Sequence, residues 1–181
     1  EADPSLAGRS IHYARGRVIG GCSSINAMIH MRGQASDYDL WAQATGDDRW
    51  RWGGSDGVGE TLAIYKQLED YFGGADDWHG VGGEIRVERP RVRWKILDAW
   101  QAAAAEVGIA PIEEFNRGDN SGIGYFHVNQ KRGRRWSAAR GFLKPVLNRA
   151  NLRLETRALV ERLTFDGRRA TGIEFARDGR R

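Results

Sequence analysis

The chain has 181 residues, 40% of them hydrophobic and 29% charged, and its 7 Trp, 5 Tyr and 6 Phe exclude a low-complexity or disordered polypeptide. One cysteine cannot close an internal disulfide, which excludes a stapled secreted scaffold and favours a reducing, cytoplasmic compartment; no apolar run approaches the roughly 18–20 residues that span a bilayer. The net charge of +4 arises from 28 basic and 24 acidic residues, scattered and locally matched as in Glu84-Ile85-Arg86-Val87-Glu88-Arg89, not gathered into the dense basic stripe of a nucleic-acid binder.

In chain order, Arg15 to Asn26 takes a short apolar step into the paired glycines Gly20 and Gly21, then into Cys22, Ser23 and Ser24, with a helix expected to start there. Ser36 and Asp39 have the spacing of a helix start, followed by an apolar face of Tyr38, Leu40 and Trp41. Gly53, Gly54, Gly57 and Gly59 predict a turn after Trp50 and Trp52. Helical spacing returns at Leu62, Tyr65, Leu68 and Phe72. Asp76-Asp77-Trp78-His79-Gly80 reads as a loop, and Glu84 to Glu88 alternates like a strand. Trp94 to Val107 is the clearest amphipathic helix, with Ile96, Leu97, Trp100, Ala103, Ala104 and Val107 on one face and Gly108 at its end. Ile123 to Gln130 alternates as a strand. Ser137 can cap a helix carrying Phe142, Leu143, Val146 and Leu147, weakened by Gly141 and Pro145. Leu152 to Thr156, Ala158 to Phe165 and Ala170 to Phe175 read as strands, the last two joined through Asp166-Gly167-Arg168-Arg169. The class is mixed α and β (α+β).

Among residues able to carry chemistry, the Gly20-Gly21-Cys22-Ser23-Ser24 turn stands first. Paired glycines let the backbone bend and approach a ligand closely, and N–H groups at such a turn can cradle a phosphate or an electron-rich ring edge. Arg15 and Arg17 add charge nearby. The turn is neither a dinucleotide-binding G-x-G-x-x-G nor a phosphate-binding Walker loop, and paired glycines before a helix are common in purely structural turns. The four histidines, His12, His30, His79 and His127, form no metal-ligand spacing, so no metal is expected. His79, in the Trp78-His79-Gly80 loop, could be a catalytic base or a structural residue. Cys22 is either a thiol acidified at a helix start or an inert small residue.

Arg15 to Trp41, "RGRVIGGCSSINAMIHMRGQASDYDLW", resembles the first signature of the glucose–methanol–choline (GMC) family of flavin-dependent oxidoreductases, in its bacterial choline- and alcohol-dehydrogenase branch. Later segments follow in that family's order: "TLAIYKQLED", "DDWHGVGGEIRV", "EFNRGDNSGIGYFHVNQKRGRRWSAARGFLKP" and "NLRLETRALVERLTFDGRRATGIEF". The resemblance covers nearly all of Arg15 to Phe175. It implies part of an FAD-binding domain plus part of a substrate domain with a mainly antiparallel sheet. Residues 11–45 would form the flavin-contacting loop and helix, 60–150 the substrate-domain portion and 151–177 strands returning to the FAD domain.

The resemblance further implies an enzyme that oxidises an alcohol to a carbonyl by hydride transfer to the flavin of FAD. Carried over position by position, the cofactor contacts fall on Arg17, Gly20, Gly21, Cys22, Ser23, Asn26, Ala27 and Ile29, with Val160 as a backbone contact to adenine. Members with a covalently held flavin have a His just before that Asn; Ile25 stands there, so noncovalent FAD is expected. Tyr125, His127 and Trp136 fall in the part resembling the substrate side, as pocket lining or as ordinary packing. The family's pyrophosphate-binding unit and its catalytic His have no counterpart within the 181 residues, so the chain reads as an internal portion with no catalytic residue of its own, expected to be inactive alone. The partners implied are a small alcohol and an unknown electron acceptor, with no nucleic acid and no integral membrane segment. Two other readings remain open on sequence alone: a non-enzymatic basic binding module using the 24 Arg, and a flavin-fold lyase of the same family.

Overall fold

A computed structural model of the chain describes residues 4–53 and 59–177. Two compact units divide it, one ending at Lys144 and the other beginning at Pro145. In the first, α1 spans Ala35–Thr45. It starts earlier than the Ser36–Asp39 spacing suggests, because the capping pair is Gln34 and Asp37: the Gln34 N–H donates to Asp37 at 2.7 Å, and Asp37 N–H reaches back to Gln34. Gly46, left-handed at φ 68°, ends the helix as a residue without Cβ does most readily. On its buried face Tyr38 stacks on Trp52 at 5.2 Å, and its hydroxyl hydrogen-bonds that of Tyr65 at 2.7 Å. Burial and that hydrogen bond push the Tyr65 hydroxyl up to about 12.

Helix α2, Thr61–Leu68, stops one turn short of Phe72, because Glu69 passes directly into strand β1, Glu69–Tyr71. This pairs in parallel with β2, Ile85–Val87, in the register Glu69↔Ile85 to Tyr71↔Val87. Val87 is fully buried here. The expected glycine turn after Trp52 lies partly outside the described residues, at Gly54 and Gly57. Helix α3, Lys95–Glu106, falls where the amphipathic pattern puts it, with Trp94 as N-cap and Gly108 beyond its end. Its apolar face is nevertheless largely uncovered among the described residues: Trp100 is 70% exposed and Val107 76%.

The Ile123–Gln130 strand is not continuous. Ile123 bridges Pro111, and Val128 bridges both Ile29 and Glu88, so the alternation reflects single pairings to three separate partners. A short antiparallel ribbon follows, β3 (Gln130–Lys131) with β4 (Arg134–Arg135), turned through Arg132 and Gly133 at φ 55° and 75°. The helix anticipated after Ser137 is one π-helical turn, Ala139–Leu143. A 3-10 turn, Lys144–Val146, begins at the last residue of the first unit, and irregular chain follows it in the second. Leu152 to Thr156 forms no strand; Glu155 is instead drawn to Arg153 and Arg177. The antiparallel hairpin β5 (Ala158–Asp166) and β6 (Arg169–Arg177) closes through Gly167 as the sequence indicates. The architecture is thus mixed helix and sheet, with two small antiparallel ribbons and one parallel pair among the described residues.

Candidate functional site

The glycine turn is a compact loop tied down at several points. Gly20 is left-handed at φ 94° and Gly21 at φ 54°, conformations that side chains resist. A Cβ on Gly20 would overlap the Ser24 hydroxyl, and one on Gly16 would overlap the Gly21 carbonyl, so two strands of backbone lie against each other here. The expected helix is only a single 3-10 turn, Gly21–Ser24. Ser23 and Ser24 turn their hydroxyls inward, donating to the carbonyls of Gly20 at 2.5 Å and Ile19 at 2.9 Å. Cys22 is exposed, its Sγ accepting the Gly16 N–H at 3.5 Å. Arg17, Asn26, Ala27 and Ile29 lie at the surface.

Asn26 is the polar centre of the loop. Its Oδ1 accepts from the Met28 N–H at 3.0 Å and from Arg135 Nη1 at 2.9 Å. Both partners are N–H donors, so the oxygen must face them and the amide Nδ2 must face away. Among the described residues Nδ2 makes no hydrogen bond. Ile25, just before it, is 52% exposed. The loop then continues as an edge: Ile29 bridges Val128, His30 N–H donates to the His127 carbonyl and Asn129 N–H to that of Met28. Arg17, Gly20, Gly21, Cys22, Ser23, Asn26, Ala27 and Ile29 lie together because all fall within the segment 17–29 of the sequence. Val160 belongs to the second unit, in β5 opposite Phe175 and beside an irregularity in the ladder.

Sequence reasoning missed a second polar cluster. His79 is completely buried, with Nδ1 2.8 Å from Glu69 Oε2 and Nε2 2.7 Å from Glu114 Oε1. Tyr71 stacks on its ring at 3.7 Å and donates to Glu114 at 2.5 Å. Arg32, also buried, lies 2.9 Å from Glu69 and donates to the Trp78 carbonyl, while His30 Nε2 meets Glu69 at 3.1 Å. Burial would push His79 down, but its hydrogen bonds to Glu114 and Glu69 raise it to about 8. Burial raises Glu69, yet His30, His79 and Arg32 together hold it well below the carboxylate range; burial likewise raises Glu114, and hydrogen bonds from His79 and Tyr71 more than offset it and lower it. His127 is buried beside them, its Nδ1 without a hydrogen bond among the described residues and 3.8 Å from Glu114 Oε2, and its burial holds it below the usual imidazole value. This is an ion network buried around Glu69, whose Glu114, Tyr71 and His127 also line a cavity of about 350 Å³ with Arg89 and Arg117.

Of the expected pocket aromatics, Tyr125 and His127 line one cavity of about 190 Å³ with Arg89, Arg93 and Gln101. Trp136 packs apart from it, donating from Nε1 to the Glu84 carbonyl at 2.7 Å. No group of His, Cys, Asp or Glu among the described residues could hold a metal ion, and no helix there is long and apolar enough to cross a membrane.

Comparison with known proteins gives this geometry a context. The profile of the GMC oxidoreductase family matches residues 3–181. The chain is 37% identical over 180 residues to an oxygen-dependent choline dehydrogenase of Sinorhizobium fredii, and 36% identical over 182 residues to one of Staphylococcus aureus. Each alignment covers 99% of this chain but 31% of the relative, so the chain spans about a third of their length. Among solved structures, pyridoxine 4-oxidase from Mesorbium loti superposes with a TM-score of 0.87 at 37% identity, over 98% of this chain and 34% of that one. An FAD-dependent oxidoreductase from Chaetomium thermophilum, 24% identical, shares the fold at a TM-score of 0.79 over 95% of this chain and 31% of that one. By its profile match and by its identity to these relatives along nearly its whole length, the chain belongs to the GMC oxidoreductase family.

Proposed function

We propose that this chain forms the flavin-facing loop and part of the substrate domain of an FAD-dependent oxidoreductase acting on the CH–OH group of an alcohol, with FAD held noncovalently. The observation that carries the reading is the loop from Gly16 to Ile29: a glycine bend fixed by internal hydrogen bonds, with the Asn26 amide turned outward. Such a surface suits the edge of a flat, hydrogen-bond-accepting ring. Arg17, Gly20, Gly21, Cys22, Ser23, Asn26, Ala27 and Ile29 would hold the cofactor, with the Val160 backbone meeting its adenine. Residues 11–45 would form this cofactor wall, 60–150 the substrate-side portion and 151–177 the return to the FAD domain. The apolar side chain of Ile25 offers no nucleophile for a bond to the ring, which supports the noncovalent reading.

When bound, FAD supplies a hydride acceptor for alcohol oxidation. This chain's contribution is to orient the ring and exclude water from one side of it. On the likeness to the GMC family the hydroxyl proton would pass to a base from outside these residues; within them, His30 and His79 are committed to Glu69. The many arginines speak against a polyanion surface: Arg49, Arg51, Arg86, Arg89, Arg93, Arg117, Arg153, Arg162 and Arg177 each have a carboxylate partner.

The test is to produce the protein encoded with its flanking sequence and record its visible spectrum, then precipitate it with acid. Flavin absorbance that moves into the supernatant, and that an alcohol bleaches without oxygen, is the expected result. A colourless protein overturns the flavin reading, whereas colour retained in the pellet overturns only its noncovalent part. The 181-residue chain alone is expected to bind FAD weakly or not at all and to turn nothing over.

A further inference from the structure

We propose that Arg135 is the positioning residue of the flavin loop, aiming the Asn26 amide from a hairpin 109 residues away in sequence. The inference rests on the flavin reading of that loop and adds the group that shapes it. Arg135 Nη1 lies 2.7 Å from the Asn26 carbonyl, 2.9 Å from Asn26 Oδ1 and 3.2 Å from the Ser23 carbonyl. One nitrogen thus shares its N–H donors among the Ser23 carbonyl within the 3-10 turn and the backbone and side-chain oxygens of Asn26. Charged donors make shorter and stronger hydrogen bonds than neutral ones, and a planar guanidinium holds its direction better than an ammonium.

The hairpin that carries Arg135 is itself fixed. Arg132 N–H donates to the Glu88 carboxylate at 3.1 and 3.2 Å, and Trp136 N–H to the Asn129 carbonyl at 2.9 Å. Just beyond, Ala138 N–H donates to Ser23 Oγ at 2.9 Å, and that hydroxyl donates onward to the Gly20 carbonyl. The loop is therefore gripped twice by the segment from 135 to 138, once at its glycine bend and once at Asn26. The second grip decides which face of the carboxamide looks out. With Oδ1 taken by Arg135 and the Met28 N–H, Asn26 presents a donor, and the group it meets must be an acceptor oxygen or ring nitrogen. Arg135 acts through the loop residues it holds, Asn26 above all and the Ser23 carbonyl beside it, so it is a positioning residue and not a catalytic one.

That dependence gives the test. In the FAD-loaded complete protein, Arg135→Gln and Asn26→Ala are each expected to raise the FAD dissociation constant about tenfold. The double variant is expected to be no weaker than Arg135→Gln alone, because that variant already loses the oriented donor that Asn26→Ala deletes. Arg135→Lys restores part of the affinity. Amide exchange at Met28, whose N–H bonds Asn26, should quicken in Arg135→Gln while the melting temperature stays near that of the parent. Multiplying losses in the double variant, or unchanged exchange at Met28, overturns the proposal. So does a variant Arg135→Gln that holds FAD as tightly as a flavin-bearing parent. A parent without flavin is a different failure: it overturns the functional reading and takes this one with it.

Discussion

Glu69 and His79 face each other across 2.8 Å at a point where neither side chain reaches solvent. The other imidazole nitrogen meets Glu114, so one ring bridges two carboxylates, and its proton neutralises part of their charge. Because the folded ring titrates at about 8 against an ordinary 6.5, its contribution is complete below 6.5 and is lost as pH rises through 8. Linkage puts that contribution at roughly 2 kcal/mol. Glu69 and Glu114, held low, contribute above the usual carboxylate range and lose that contribution on acidification. His127 works the other way from His79: it is held neutral, so a cost begins as pH falls through 6.5. Denaturant midpoints between neutral pH and about pH 9 should therefore fall, and His79→Gln should lower the neutral value and flatten the alkaline limb. Equal alkaline slopes in the two proteins would sink the assignment.

Removing a carboxylate from this network should be costly in a way that removing a surface carboxylate is not. Glu69→Ala leaves Arg32, 4% exposed, with its charge unmatched, a change that costs about 3–5 kcal/mol when one partner of a buried pair is deleted. Glu113→Ala, whose contact is an exposed 3.3 Å pair with Arg89, should change stability by less than about 1 kcal/mol. Urea unfolding of both variants separates the cases; similar losses would mean that Glu69 is not the keystone.

Gly80 shows how closely helix α2 lies on the loop that presents His79. A Cβ at this position would overlap the Lys66 carbonyl and crowd its carbon at 2.6 Å. These are backbone atoms that no rotamer can move. Gly80 also donates to Glu69 and accepts from Tyr71 N–H, so a shift to relieve the clash disturbs the ion network. Gly80→Ala should cost about 3 kcal/mol, the upper end for overpacking. Gly172→Ala in β6, where the nearest contact is the Thr164 hydroxyl at 3.1 Å, should cost clearly less. Thermal unfolding of the two variants compares them directly, and equal melting temperatures would remove the packing argument.

What could be read from the sequence was local. The spacing of Leu97, Trp100 and Ala104 gives α3, and Gly167 between two alternating runs gives the β5–β6 hairpin, because each rule concerns residues within one or two turns of each other. The strand expected at Ile123 to Gln130 fails because alternation reports burial, not a partner: Ile123 pairs with Pro111, Val128 with Ile29 and Glu88, and Gln130 with Arg135. The glycine turn was legible as a sharp bend for the same local reason. Nothing local linked Arg135 to Asn26, or Glu114 to His79. Their chemistry comes from positions 109 and 35 residues apart that only the fold brings together.

The uncovered face of α3 makes a prediction for the chain on its own. Ile96, Trp100 and Val107 are 68%, 70% and 76% exposed, although their spacing is that of a helix built to bury one side. A contiguous apolar face left in water binds hydrophobic dyes and promotes association. The 181-residue chain should therefore enhance the fluorescence of an apolar dye and self-associate at high concentration. Ile96→Ser with Trp100→Ser should reduce both effects and leave the melting temperature nearly unchanged, because these side chains cover little of this chain's own core. A large drop in melting temperature would show that the face is already packed against something within the chain.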